Sequence, residues 1–286
     1  MRRCPLLLVL LASLVARAGD EPTAAFSPIP EPATVQPAPT EFVAPEAAPV
    51  GFIRPGESFE LRMTYGLLGT AGTTRIETSA ENSAAGPRFR IRVAAQSSGI
   101  VDTFYSVVNN SESVLDATTG RPLTISIKGQ SGKRLTEKTT TFDYAIGRAV
   151  HVNTIRPHHN ATVALPAEPA YDIMVALMQA RDWRLRPGES RRVLCVNDED
   201  FFTIEVTALR EERVKTPAGT FDTVVLEPKQ VGPLTGFFKK GGALKVWISK
   251  GDRPQIVRLD TKTKIGTIVA VLTKEERRAP APPESR

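Results

Sequence analysis

In the run Arg88 to Val93, the apolar residues Phe89, Ile91 and Val93 alternate with Arg88, Arg90 and Arg92. Successive side chains of an extended strand point to opposite faces, so such a run has one dry and one wet side. The same period of two returns through Phe202, Ile204, Val206 and Ala208, through Leu244, Val246 and Ile248, and through Ile268, Ala270 and Leu272. This is the pattern of an antiparallel sheet, and it confines the chain to a mainly β fold of roughly a dozen short strands. Turn signals fall between the runs at Asp116 to Gly120, Gly129 to Gly132 and Lys215 to Gly219. In the last, Pro217 suits position i+1 of a type I turn and Gly219 the left-handed position after it.

One segment departs from this rhythm. Ala170, Ile173, Met174, Leu177 and Met178 follow helical spacing, which predicts a single amphipathic helix from Pro169 to Arg181 lying across one face or end of the sheet. Asp172 suits the positive end of its dipole and Arg181 the negative end. The pentapeptide Arg-Pro-Gly-Glu-Ser occurs at Arg54 to Ser58 and again at Arg186 to Ser190. The residues after each copy share only alternation, so the repeat reads as one turn used twice, at the start of each half of the sheet.

The ends of the chain are of a different kind. Met1-Arg2-Arg3, an apolar run from Pro5 to Ala16 and the closing Ala16-Arg17-Ala18 make residues 1–18 a secretory signal peptide. No later stretch is long and apolar enough for a transmembrane helix, so the mature chain is expected to be exported and periplasmic. Residues 19–50 are a Pro-rich linker, residues 51–274 one β-rich domain and residues 275–286 a disordered tail. Of the formal charge of +6, Arg2, Arg3 and Arg17 leave with the signal, so a weakly basic domain remains and nothing calls for a nucleic-acid partner. Cys4 leaves too, and Cys195 is expected as a small buried hydrophobe with no disulfide partner.

Between Gly56 and Lys274 the sequence resembles the exported bacterial family of unknown function 3108, DUF3108. The resemblance rests on Gly56-Glu57 with Leu61, Tyr65 and Gly72, on Asp172 at the helix start, and on Val214, Thr216, Pro217, Gly219, Thr220 and Phe221. The run Gly242 to Ser249, then Pro254, Gly266 and Leu272, completes it. It implies an antiparallel curved sheet or incompletely closed β-barrel with the helix packed on it, similar to lipoprotein carriers, with no assigned reaction and no catalytic residues. Family members often carry an acidic pair after the strand holding the Trp; this chain has Lys250-Gly251-Asp252.

The residues themselves reveal no catalytic constellation, cofactor motif or metal site. His158 and His159 sit in a polar loop, and a structural metal site needs four spaced ligands. Asp198, Glu199 and Asp200 lack a calcium-loop spacing and read as a solvated turn. There is no Gly-x-Ser-x-Gly elbow, although sequence leaves a triad assembled across the fold open. The Arg88, Arg90 and Arg92 stripe reads as a wet strand face, with contact to anionic lipid headgroups or glycan as the alternative. Between Gly232 and Gly242, Phe237-Phe238 beside Lys239-Lys240 suit either a flap over an apolar cavity or a plug for the open side of the barrel. With Met174, Met178 and Trp247 these form the candidate ligand-binding set. The expected function is non-enzymatic: binding of a lipid or other apolar small molecule, or envelope assembly. An interaction module that reaches an envelope protein through the Pro-rich arm is the alternative, and an envelope hydrolase the third.

Overall fold

The alternation becomes a single antiparallel sheet in the computed structural model, which describes residues 50–263 and 266–277. The signal peptide, the linker up to Pro49 and the tail from 278 onward lie outside the described residues. Fourteen strands are present among the described residues. Eight precede the main helix: β1 (Glu57–Tyr65), β2 (Thr70–Ser83), β3 (Gly86–Ser97), β4 (Val107–Asp116), β5 (Pro122–Ser131), β6 (Arg134–Asp143), β7 (Arg148–Asn153) and β8 (Ala161–Ala164). Six follow it: β9 (Ser190–Asn197), β10 (Asp200–Thr216), β11 (Gly219–Gln230), β12 (Ala243–Ser249), β13 (Ile256–Thr263) and β14 (Gly266–Arg277). β14 runs three residues into the expected tail, where Glu275, Glu276 and Arg277 pair with Phe59, Ser58 and Glu57.

The strand order is β8 to β1, then β14 back to β9, so β1 and β14 are neighbours at the centre and β8 and β9 are the edges. No ladder joins those edges. Instead Tyr171 forms a parallel bridge to Cys195, its N–H donating to the Leu194 carbonyl at 3.0 Å while the Val196 N–H donates to its own carbonyl at 2.9 Å. Ile125, Phe142 and Ala149 from β5 to β7 pack there against Ala170 and Val196. The barrel is closed at this seam by the Tyr171 bridge and by side chains, and the sheet stays open.

Extra residues supply curvature. The register shifts between Glu60 and Leu61, Met63 and Thr64, Val114 and Leu115, Ala208 and Arg210, and Trp247 and Ile248, and bulges bend a strand and increase its twist. The shift at Leu209 also reverses a face: Ile204, Val206 and Ala208 join the main core, whereas Val214 joins a second cluster with Val225, Trp247 and Val257. Close strand approach fixes Gly72, where a Cβ would stand 2.2 Å from the Gln96 carbonyl oxygen. Of the three turn signals, Asp116 to Gly120 and Lys215 to Gly219 fall at strand ends as expected. Gly129 lies inside β5, and that turn is centred on Gly132 and Lys133.

Three short α-helices, α1 (Gly99–Phe104), α2 (Ile173–Ala180) and α3 (Gly236–Lys239), and three single 3-10 turns complete the described chain. α2 is shorter than its apolar stripe and is enclosed by the sheet instead of lying across one face. Every residue from Met174 to Arg181 is buried, and the apolar ones share one cluster with Phe59, Ile76, Ile91, Val193, Ile204 and Leu259 from six different strands. Ala176 and Ala180 on the side away from the stripe allow this, because their small side chains let the helix be surrounded. Asp172 is its N-cap, accepting from the Met174 and Val175 N–H groups at 2.8 and 3.1 Å, while the Ser113 hydroxyl donates to its other oxygen at 2.5 Å. Pro169 therefore precedes the helix.

The other helix end is held by charge. Arg181 donates to Glu57 Oε2 at 2.9 Å and to the Phe52 carbonyl at 3.0 Å, with its guanidinium 5.2 Å from the centre of the Phe59 ring. Arg54 beside it donates to Asp182 at 2.5 Å. The two Arg-Pro-Gly-Glu copies are the same type II turn: Gly56 and Gly188 have φ of +88° and +92°, and the Glu57 and Glu189 N–H groups donate to Arg54 and Arg186. One opens β1 and the other opens β9, the first strand of each half.

Glu57→Gln leaves the Arg181 charge buried without its counter-ion and should lower stability by about 3–5 kcal/mol. Adding Arg181→Met should recover most of that loss. Urea unfolding midpoints of the two variants test this, and equal loss in both would contradict it.

Candidate functional site

Beyond the last turn of α2 the chain crosses the bottom of the sheet through Asp182 to Arg186 before turning into β9. Arg184 is held at φ +49°, a left-handed conformation that residues with a Cβ seldom adopt. Beneath this crossing lies a cleft of about 350 Å³. Leu185, Val224, Leu226, Ile248 and Pro254 form its apolar wall, with Arg184, Arg186, Glu211 and Lys250 also on its lining. Lys250 is engaged with Glu211 at 2.8 Å, whereas Arg184 and Arg186 are exposed. The volume lies within the roughly 300–1,000 Å³ of small-molecule sites. An apolar wall beneath exposed guanidiniums can hold an elongated apolar group and pair with an anion at its end.

A second cluster occupies the seam. Lys138 and Thr140 on β6 and His151 on β7 meet Asp198, which sits at φ +58° in the tight turn between β9 and β10. Lys138 Nζ pairs with Asp198 Oδ1, and the same oxygen lies 3.9 Å from His151 Nε2. Thr140 Oγ1 is 2.9 Å from His151 Nδ1. His151 is 2% exposed and its Nε2 has no hydrogen-bond partner among the described residues. Burial is the largest influence on His151 and holds its pKa below the ordinary imidazole value, with Lys138 adding to the effect. The same desolvation lowers the pKa of Lys138.

Thr140, His151 and Asp198 follow the order of a nucleophile, base and carboxylate, but Asp198 stands 3.9 Å from His151 Nε2 without a hydrogen bond, and the space beside them is about 10 Å³. That is at the lower limit for a single water and leaves no room for a substrate. Ligand atoms of His151, Asp198 and Glu199 also lie within 4.8 Å of one another. A cation entering there would compete with the Lys138 ammonium for Asp198. The turn expected to be solvated is thus partly buried, the Asp198 side chain being 11% exposed. The signal was the left-handed demand of a two-residue hairpin turn, and alternation along β7 placed His151 inward.

The sequence profile of the protein family of unknown function DUF3108 matches residues 60–273. The chain belongs to the DUF3108 family. Among curated proteins none matches it. Among solved structures, this DUF3108 chain is similar to a β-barrel-like protein of the domain of unknown function DUF1849 from Brucella abortus. The sequence identity is 10% and the TM-score 0.52, over 78% of this chain and 97% of that one. A protein with a YmcC-like fold from Bacteroides fragilis matches at 13% identity and a TM-score of 0.29, covering 82% and 99% of the two chains. A protein described as a candidate lipoprotein from Parabacteroides distasonis matches at 9% identity and 0.30, covering 82% and 100%. The Brucella likeness is one of fold, an open barrel-like β architecture; the other two are too distant in shape to bear on it.

The residues singled out in the DUF3108 sequence do not share one pocket. Met174 and Met178 are core residues of α2. Phe237 is buried in the same core, its ring lying over Gly242, with Phe238 packed edge-on at 5.2 Å. That arrangement is the plug, at the end of the sheet opposite the cleft. Lys239 is exposed and Lys240 half-buried beside it. Trp247 faces away from α2, under the Arg258 guanidinium at 4.7 Å. The arginine stripe is a wet face: Arg90 bonds Glu81 and Glu112, and Arg92 shares Glu112. Cys195 is fully buried, and burial pushes its thiol pKa well above the usual range. His158 and His159 lie against one another in a surface turn, their rings 4.3 Å apart and tilted by 42°.

Because the pKa of His151 is lower folded than unfolded, the unfolded chain binds the extra proton. The stability that depends on a neutral His151 is complete above about pH 6.5, the ordinary imidazole value, and falls as the pH drops below it. Urea midpoints measured from pH 7.5 to 5 should decline across that range, and His151→Gln should flatten this part of the profile.

Proposed function

We propose that this protein is a non-enzymatic, exported envelope protein that binds an amphipathic, anionic, lipid-like ligand in the cleft at the end of α2. The observation that carries this reading is the chemistry of the cleft. Leu185, Val224, Leu226 and Ile248 offer an apolar wall, and the exposed Arg184 and Arg186 stand ready for a carboxylate or phosphate. α2 fills the centre of the sheet, so the ligand occupies only this end of the interior. Residues 1–18 support export, since a charged start, an apolar run and a small-residue cleavage site direct secretion. The non-enzymatic part is supported by the sealed thiol of Cys195 and by the lack of substrate space beside Thr140 and His151.

Mass spectrometry of organic extracts from the natively purified protein should recover an anionic lipid. The fluorescent anionic probe anilinonaphthalene sulfonate should bind in its place. Val224 is half-buried at the rim of the core where it forms the cleft wall, so Val224→Trp should fill the cleft and weaken probe binding at least tenfold, with an unchanged melting temperature showing that the core is intact. Absence of both extracted lipid and probe binding would overturn the proposal, as would undiminished probe binding by Val224→Trp.

A further inference from the structure

The strands run alternately up and down, so all connections that follow an odd-numbered strand gather at one end of the sheet, opposite the cleft. The exposed apolar residues gather there too. Leu67 is fully exposed and Leu68 half-exposed between β1 and β2, and Ile100 and Phe104 (82% exposed) project from α1 between β3 and β4. Ile155 and Leu234 stand out from the connections after β7 and β11. Of the large exposed hydrophobics among the described residues, only Ile146 belongs to a connection at the other end. Such a one-sided distribution marks an interaction surface.

From this distribution we infer that the odd-strand end of the sheet docks on an anionic lipid bilayer. The tips rise from separate turns, which suits a fluid interface that adapts to each side chain and not a protein partner of fixed shape. Leucine and phenylalanine tips enter the headgroup boundary, and cations beside them pair with lipid phosphates. Lys133, Lys239 and Lys262 supply exposed positive charge on the same set of connections and strand ends. Of the acidic groups there, Asp198 is already engaged by Lys138, Glu199 and Asp200 in the same turn have partners of their own, and the Asp102 carboxylate accepts the Ser97 hydroxyl. The Phe237 and Phe238 plug seals the sheet interior at this end, so the tips can meet lipid while the core remains closed. Docked in this way, the molecule holds its cleft away from the membrane.

The test is sedimentation of the full chain, purified from an exporting bacterial host, with vesicles of phosphatidylglycerol and phosphatidylethanolamine or of phosphatidylcholine alone. The wild type should sediment with the anionic vesicles and remain largely in solution with the neutral ones. Leu67→Asp combined with Phe104→Asp should cut the bound fraction at least tenfold, with the melting temperature and anilinonaphthalene sulfonate binding unchanged. Val224→Trp should sediment like the wild type, which separates this surface from the cleft. The inference is overturned if the wild type ignores anionic vesicles or the double variant sediments undiminished. It is equally overturned if the tips instead support self-association that the double variant abolishes.

Discussion

A guanidinium sealed from water must find its partners inside the protein, and Arg181 finds them on β1 and the residues before it. The Glu57 carboxylate neutralises it, the Phe52 carbonyl takes a second donor and the Phe59 ring lies against it. That single side chain ties the end of a helix of only eight residues to the central strand of the sheet. So short a helix has little stability of its own, and its structure comes from what surrounds it. With both ends fixed, by Arg181 at one and by Asp172 with Ser113 at the other, the sheet can wrap around α2 and bury a continuous core. The cleft follows from the same anchor, since it begins where Arg181 ends the helix and the chain must cross to β9.

Local information carried the sheet. The alternation of Phe89, Ile91 and Val93 needs no knowledge of distant residues, and the repeated Arg-Pro-Gly-Glu segment describes the same turn wherever it lies. The helix was legible as an element but not in its surroundings. Its stripe of Met174, Leu177 and Met178 implied one buried side, and only the closure of strands far apart in sequence decided that Ala176 and Ala180 are buried as well. The strand past Lys274 escaped notice because Lys274, Glu275, Glu276 and Arg277 look like a charged tail. They extend β14 because β1 offers an edge that pairs with them.

The binding surfaces were harder to see for a physical reason. Val224, Leu226 and Ile248 read as ordinary inward strand positions, and the void beside them opens where the chain leaves α2 and crosses to β9. Phe237-Phe238 and Lys239-Lys240 attracted attention as a compact apolar-basic motif, and the fold divides their duties: one ring closes the core and Lys239 remains at the surface. His151 has nothing unusual in its local sequence. Its environment is made by a turn some fifty residues away, whose Asp198 reaches across the seam between the two edges.

The central pairing of β1 with β14 brings the two termini of the sheet together, with Glu57 opposite Arg277 in register. The start of the first strand and the end of the last therefore lie side by side, at the cleft end. In topological terms the backbone is nearly a ring whose gap lies at this pair, while its true discontinuity in hydrogen bonding lies elsewhere, between β8 and β9. A chain joined across Glu57 and Arg277 and cut between Ala164 and Pro169 would keep every ladder of the sheet. The place where the first strand of the sheet begins is thus independent of the place where the barrel is open.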